Sequence, residues 1–67
     1  MSDITRLKEI MGESGIPKAE IARRAGIERV TLYNRLAGSG DFTAREIIGL
    51  TRALKLTKTQ RDEIFLS

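Results

Sequence analysis

The chain has 67 residues and a mass of 7.5 kDa, with 12 Lys plus Arg against 9 Asp plus Glu and a formal net charge of +3. It contains no Cys and no His, which excludes disulfide staples, Cys/His zinc sites, thiol nucleophiles and imidazole acid–base catalysis. The length is that of one small domain over residues 1–67, which buries only about 60% of the surface its unfolded chain exposes and so needs tight helix packing or a partner.

Apolar residues recur at intervals of three and four, with Gly or Pro between the periodic segments, so the expected fold class is all-α, a string of short helices. The first helix carries Ile4, Leu7, Ile10 and Met11 on one face, with Ser2 or Asp3 as its cap and Gly12 or Gly15 at its end. Pro17 suits the first turn of a second helix, where its missing N–H has no helical acceptor. That helix turns Ile21, Ala22 and Ala25 inward and runs into Gly26. A third helix, about residues 28–37, has Leu32 and Leu36 on one stripe and is broken by Gly38-Ser39-Gly40.

Thr43-Ala44-Arg45-Glu46 reads as a capping box, in which the Thr43 hydroxyl and Glu46 carboxylate each satisfy a backbone N–H. It opens a fourth helix whose buried side is predicted to be Ile47, Ile48, Leu50 and Leu54. A second box, Thr57 to Gln60, opens a short fifth helix containing Ile64 and Phe65. Ile64-Phe65-Leu66 either closes the core or marks a dimer contact. No stretch approaches the roughly 20 apolar residues of a membrane span, and the N-terminus lacks the layout of a signal peptide. The expectation is a soluble, cytoplasmic chain.

The charge excess is concentrated. Between Lys18 and Leu36, five bases (Lys18, Arg23, Arg24, Arg29, Arg35) stand against Glu20 and Glu28, and the 7 basic and 7 acidic residues elsewhere cancel. Such a segment suits a polyanion. The same stretch has a small Ala22, Gly26 four residues later where a tight turn needs positive φ, and Ile27, Leu32 and Leu36 to pin a second helix on the first. This is the spacing of a helix-turn-helix, over about residues 18–37.

Lys18-Ala19-Glu20-Ile21-Ala22-Arg23-Arg24-Ala25-Gly26-Ile27 and Thr31-Leu32-Tyr33-Asn34-Arg35-Leu36 resemble the Xre-like family of lambdoid Cro and repressor DNA-binding domains. The stretches from Gly40 to Ile48 and from Arg61 to Phe65 look similar to small regulators of phages and integrated elements. Glu28 stands where many members have a Ser or Thr cap, and Arg35 where many are apolar. The resemblance implies a compact five-helix, lambda-repressor-like domain whose third helix enters the major groove of double-stranded DNA. It further implies a transcriptional regulator, repressor or Cro-like, of a phage or mobile element, working at the nucleoid of a bacterial or phage-infected cell.

With Leu32 and Leu36 inward, Val30, Tyr33 and Asn34 project outward, and Arg29 and Glu28 lie at the start of the helix. These five are the base-contact candidates. Arg29 suits guanine, Asn34 adenine, Val30 a thymine methyl and Glu28 cytosine N4, while the Tyr33 hydroxyl also suits a phosphate. Phosphate contacts are expected from Lys18 at the start of the second helix and from Thr31, Arg35 and Ser39. No catalytic residue, metal site, cofactor or small-molecule substrate is expected. One reading helix covers only a few base pairs, so a weak homodimer, or one formed on the operator, is the expected state. The competing reading is a protein-interaction adapter or antirepressor that reuses the fold, with Ile64-Phe65-Leu66 as its contact.

Overall fold

Five helices follow the chain order implied by the caps and breaks: α1 (Ile4–Ser14), α2 (Lys18–Ala25), α3 (Arg29–Leu36), α4 (Ala44–Leu54) and α5 (Lys58–Phe65). The computed structural model describes residues 2–66, and among these there is no strand. No helix in this span is long and apolar enough to cross a membrane. The Cα radius of gyration is 10.4 Å.

Local chemistry accounts for most helix ends. Asp3 Oδ1 accepts the Arg6 N–H at 3.0 Å and starts α1, while Gly15, at φ 69°, closes it. At α4 the Glu46 N–H donates to Thr43 Oγ1 at 3.2 Å and the Thr43 N–H donates to Glu46 Oε1 at 3.0 Å. Thr57 and Gln60 form the same reciprocal pair at α5. The α2–α3 turn depends on Gly26, whose φ of 72° lets the next N–H, that of Ile27, reach back to the Ala22 carbonyl at 2.9 Å. Lys55 ends α4 in the same left-handed conformation, at φ 53°, without a glycine.

The core takes one fully buried aliphatic side chain from each helix: Leu7, Ile21, Leu32, Leu50 and Ile64. Each such burial is worth about 1.5–3 kcal/mol, so five of them are the main favourable term a domain this small can assemble. Phe42, in the loop before α4, meets Phe65 edge to face with ring centroids 5.6 Å apart. The Asp3 N–H donates to the Ile64 carbonyl at 2.6 Å, tying the start of the chain to α5.

The structure amends several sequence expectations. Ile48 is 54% exposed rather than buried, because it lies about 200° round the helix from Leu50; Ala53 takes the inward place instead. Pro17 is the residue before α2 rather than inside its first turn. The predicted 28–37 helix runs Arg29–Leu36, with Glu28 and Ala37 as its flanking caps. Of the C-terminal apolar triplet, Ile64 and Phe65 belong to the core and Leu66 is exposed.

Ala22 is buried as expected, yet the close backbone approach in the structure involves Ala25 and Gly49. A Cβ on Gly49 would stand 2.1 Å from the Ala25 carbonyl oxygen. Glycine in mid-helix is therefore what allows α4 to press against the end of α2, and this contact sets the platform from which α3 projects.

Candidate nucleic-acid interface

Helix α3 is held from below by Leu32 and Leu36 and leaves its other side open. Val30 is 61% and Tyr33 45% exposed, and Arg29, Asn34 and Ala37 are also exposed. At about 100° per residue, Val30 and Asn34 form the crest farthest from Leu32, with Tyr33 on one flank and Thr31 on the other. Glu28 accepts the Leu32 N–H through its backbone carbonyl at 3.0 Å, but its side chain makes no cap bond. The Glu28 carboxylate thus stays at the exposed start of α3, where it meets the favourable end of the helix dipole.

A groove lies along each flank of this crest. On the Tyr33 side, about 320 Å³ is lined by Lys8, Lys18, Tyr33, Leu36 and Ala37. On the Thr31 side, a second hollow of about 320 Å³ is lined by the Ala25–Glu28 turn together with Thr31, Thr43, Arg45 and Glu46. The fold thus brings Lys18 beside Tyr33, and Glu28 beside Thr31, as a site on this face requires. Two basic residues outside the sequence-predicted set join them: Lys8 from α1 and Arg45 from α4. Lys8 has one legible sign, since Ile4, Thr5, Met11 and Gly12, its neighbours three and four residues away, include no acid. Arg45 has none, because only the α2–α4 packing carries it to the turn.

Three of the five bases in the 18–36 segment are held by carboxylates. Glu20 accepts two hydrogen bonds from Arg23 and one from Arg24. These bonds, with Arg23 contributing most, lower the Glu20 carboxyl from the ordinary 4.5 to about 2 and raise Arg23. Arg35 turns to Glu46, with Nε 3.3 Å from Oε1, and is half-buried. By contrast, Lys8, Lys18, Arg29 and Arg45 enter no ion pair among the described residues. Of the seven cations outside any ion pair among the described residues, Lys8, Lys18, Arg29 and Arg45 lie on or beside α3, while Arg52, Lys55 and Lys58 lie on α4, at its end and on α5.

Ser39 is exposed past the end of α3, where its N–H closes the helix on the Asn34 carbonyl at 2.9 Å. Arg35 is the one phosphate candidate that stands apart, since its guanidinium is directed into the α3–α4 junction. No family model, curated protein or solved structure matches the chain.

Proposed function

We propose that this protein is a sequence-specific double-stranded DNA-binding domain of the lambda-repressor-like, Xre-like helix-turn-helix type, acting as a transcriptional regulator. The observation that carries the reading is the uncovered crest of Val30 and Asn34 with cations outside any ion pair on both sides: Lys8 and Lys18 beside Tyr33, Arg45 beside Thr31. A helix in the major groove has a phosphate strand on each side; the Lys8–Lys18 flank suits one strand by charge, and the Thr31 flank offers Arg45 and a hydroxyl next to the Glu28 carboxylate and the Arg35-paired Glu46. In this reading Arg29, Val30, Tyr33 and Asn34 meet base edges, and Glu28 accepts from cytosine N4, discriminating against sequences that leave its carboxylate without a donor in the groove while repelling phosphate on any duplex. Lys8, Lys18, Thr31, Ser39 and Arg45 meet phosphates. Two copies on a palindromic operator extend the few base pairs that one α3 covers.

The test is selection of bound sites from a random duplex pool, followed by titration of the selected and a scrambled duplex at rising salt. A preferred, palindromic site is expected, with affinity falling as salt rises. Equal binding to both duplexes at about 150 mM salt overturns the reading. The adapter reading draws on Ile48 and Leu66, the exposed aliphatic side chains outside α3, and requires a protein partner whose binding is insensitive to salt.

A further inference from the structure

Arg35 invites a phosphate role by its charge and position, yet its surroundings are those of a fastener. Its Nε lies 3.3 Å from Glu46 Oε1 and its Nη2 3.5 Å from Oε2, a two-pronged contact between the last turn of α3 and the first turn of α4. The side chains are only 23% and 16% exposed, so the pair is screened from water far more than a surface bridge. Glu46 Oε1 also accepts the Thr43 N–H at 3.0 Å. One carboxylate therefore holds the loop end, the start of α4 and the end of α3.

Gly40 makes room for this arrangement. A Cβ there would fall 2.8 Å from Arg35 Nη1, and the residue has a φ of +85° that side chains rarely adopt. The chain thus returns from α3 to α4 beneath the guanidinium. Asn34 precedes Arg35 directly and Tyr33 is one residue further back, so any rotation of α3 about its axis that breaks the Arg35–Glu46 contact also swings the candidate reading side chains.

We infer that Arg35 is a positioning residue: through Glu46 and the space left at Gly40 it locks the orientation of α3 and so sets which bases Tyr33 and Asn34 meet, without itself touching DNA. The inference rests on the DNA-binding reading above. It differs from a phosphate role in what it does to binding. A phosphate contact adds affinity for every duplex and contributes about 0.9 to the salt slope, whereas an orientation lock adds affinity only for the matched one.

The experiment compares the wild-type chain with Arg35→Met, which keeps the aliphatic stem and removes the guanidinium. Affinities for the selected and a scrambled duplex are measured over a salt series, with far-UV circular dichroism as the check on folding. The expected result is a selected-to-scrambled ratio lower by about tenfold, the scale of one lost base contact. The scrambled-duplex affinity stays within about threefold, and the salt slope is unchanged. A uniform loss on both duplexes with the slope smaller by about 0.9 assigns Arg35 to a phosphate and overturns the inference. An unchanged ratio overturns it as well and leaves the DNA-binding reading standing, while a wild-type chain without duplex preference overturns both.

Should Arg35→Met fail to fold, Glu46→Gln carries the same comparison. Gln60 occupies the corresponding place in the α5 capping box, so glutamine can keep the α4 cap while removing the charge that holds Arg35. The same drop in ratio at constant slope is expected, and a wild-type ratio overturns the inference.

Discussion

Helices α3 and α4 sit side by side in the chain and are built on opposite terms. At α4 a reciprocal Thr43–Glu46 box sets the start, Leu50 and Ala53 are buried, and the backbone approaches α2 so closely at Gly49 that no side chain fits. At α3 the start has no side-chain cap bond, and two buried leucines hold a helix whose large apolar residues Val30 and Tyr33 stay in solvent. The contrast shows how a 67-residue domain divides its work. Capping and close backbone approach concentrate on the helix that supports, whereas the helix that presents is held by its two leucines and by the Arg35–Glu46 contact.

Substitutions can break or sharpen that contrast. The largest effect is expected from Gly49→Ala, because the new methyl group meets the Ala25 carbonyl oxygen at 2.1 Å. A contact this close to a backbone carbonyl puts the overpacking cost at the top of its range, about 3 kcal/mol, against a gain of about 1 kcal/mol in helix propensity, for a net loss of roughly 2 kcal/mol, read as a lower urea midpoint at constant slope. A midpoint equal to wild type would show that α2 and α4 can part without cost. On the other side of the contrast, Asn34→Ala is expected to leave the midpoint alone and to cost roughly 1–3 kcal/mol of binding at a single base position, measured against duplexes varied one base pair at a time.

The two helix starts give a finer comparison. Thr43→Ala removes an N-cap and is expected to lose about 1 kcal/mol of stability. Glu28→Ala removes a side chain with no cap bond, so a change within about 0.5 kcal/mol is expected in the same denaturation series. A Glu28 effect as large as that of Thr43 would contradict the picture of an uncapped presenting helix.

The smallest effect concerns pH. Glu20 is lowered from 4.5 to about 2 by Arg23 and Arg24, so a depressed carboxyl stabilises the fold above the unfolded value and ceases to do so as pH falls toward 2. Wild type and Glu20→Gln are therefore expected to differ in stability above about pH 4.5 and to converge toward pH 2, with the difference kept small by solvent. A gap that widens on acidification would reverse the sign and rule out these three bonds as its source.

Much of the fold is legible in the residues themselves. Asp3, Gly15, Gly26, the Thr43–Glu46 box and the Thr57–Gln60 box mark helix ends within a residue or so of where they lie. Lys55 gives no such sign, since it adopts φ 53° with no glycine to announce it. Ile48 misleads because a run of two adjacent isoleucines and a later leucine fits two helical faces almost equally well. Of the candidate interface, the crest residues Val30 and Asn34 and the neighbouring Tyr33 follow from the Leu32–Leu36 stripe alone. Its flanks do not, for Lys8 and Arg45 come from other helices.

What the sequence by itself determined is therefore what acts over three or four residues: caps, breaks, the left-handed turn at Gly26 and the apolar stripe of each helix. These depend on backbone donors and φ preferences that neighbouring residues satisfy or violate. The tertiary structure alone decided which cations remain free, that Arg35 meets Glu46 eleven residues away, and that Gly49 admits the end of α2. Coulomb pairing and close approach depend on distance in space, and in a chain of short helices that distance is set by how the helices pack, not by their order along the chain.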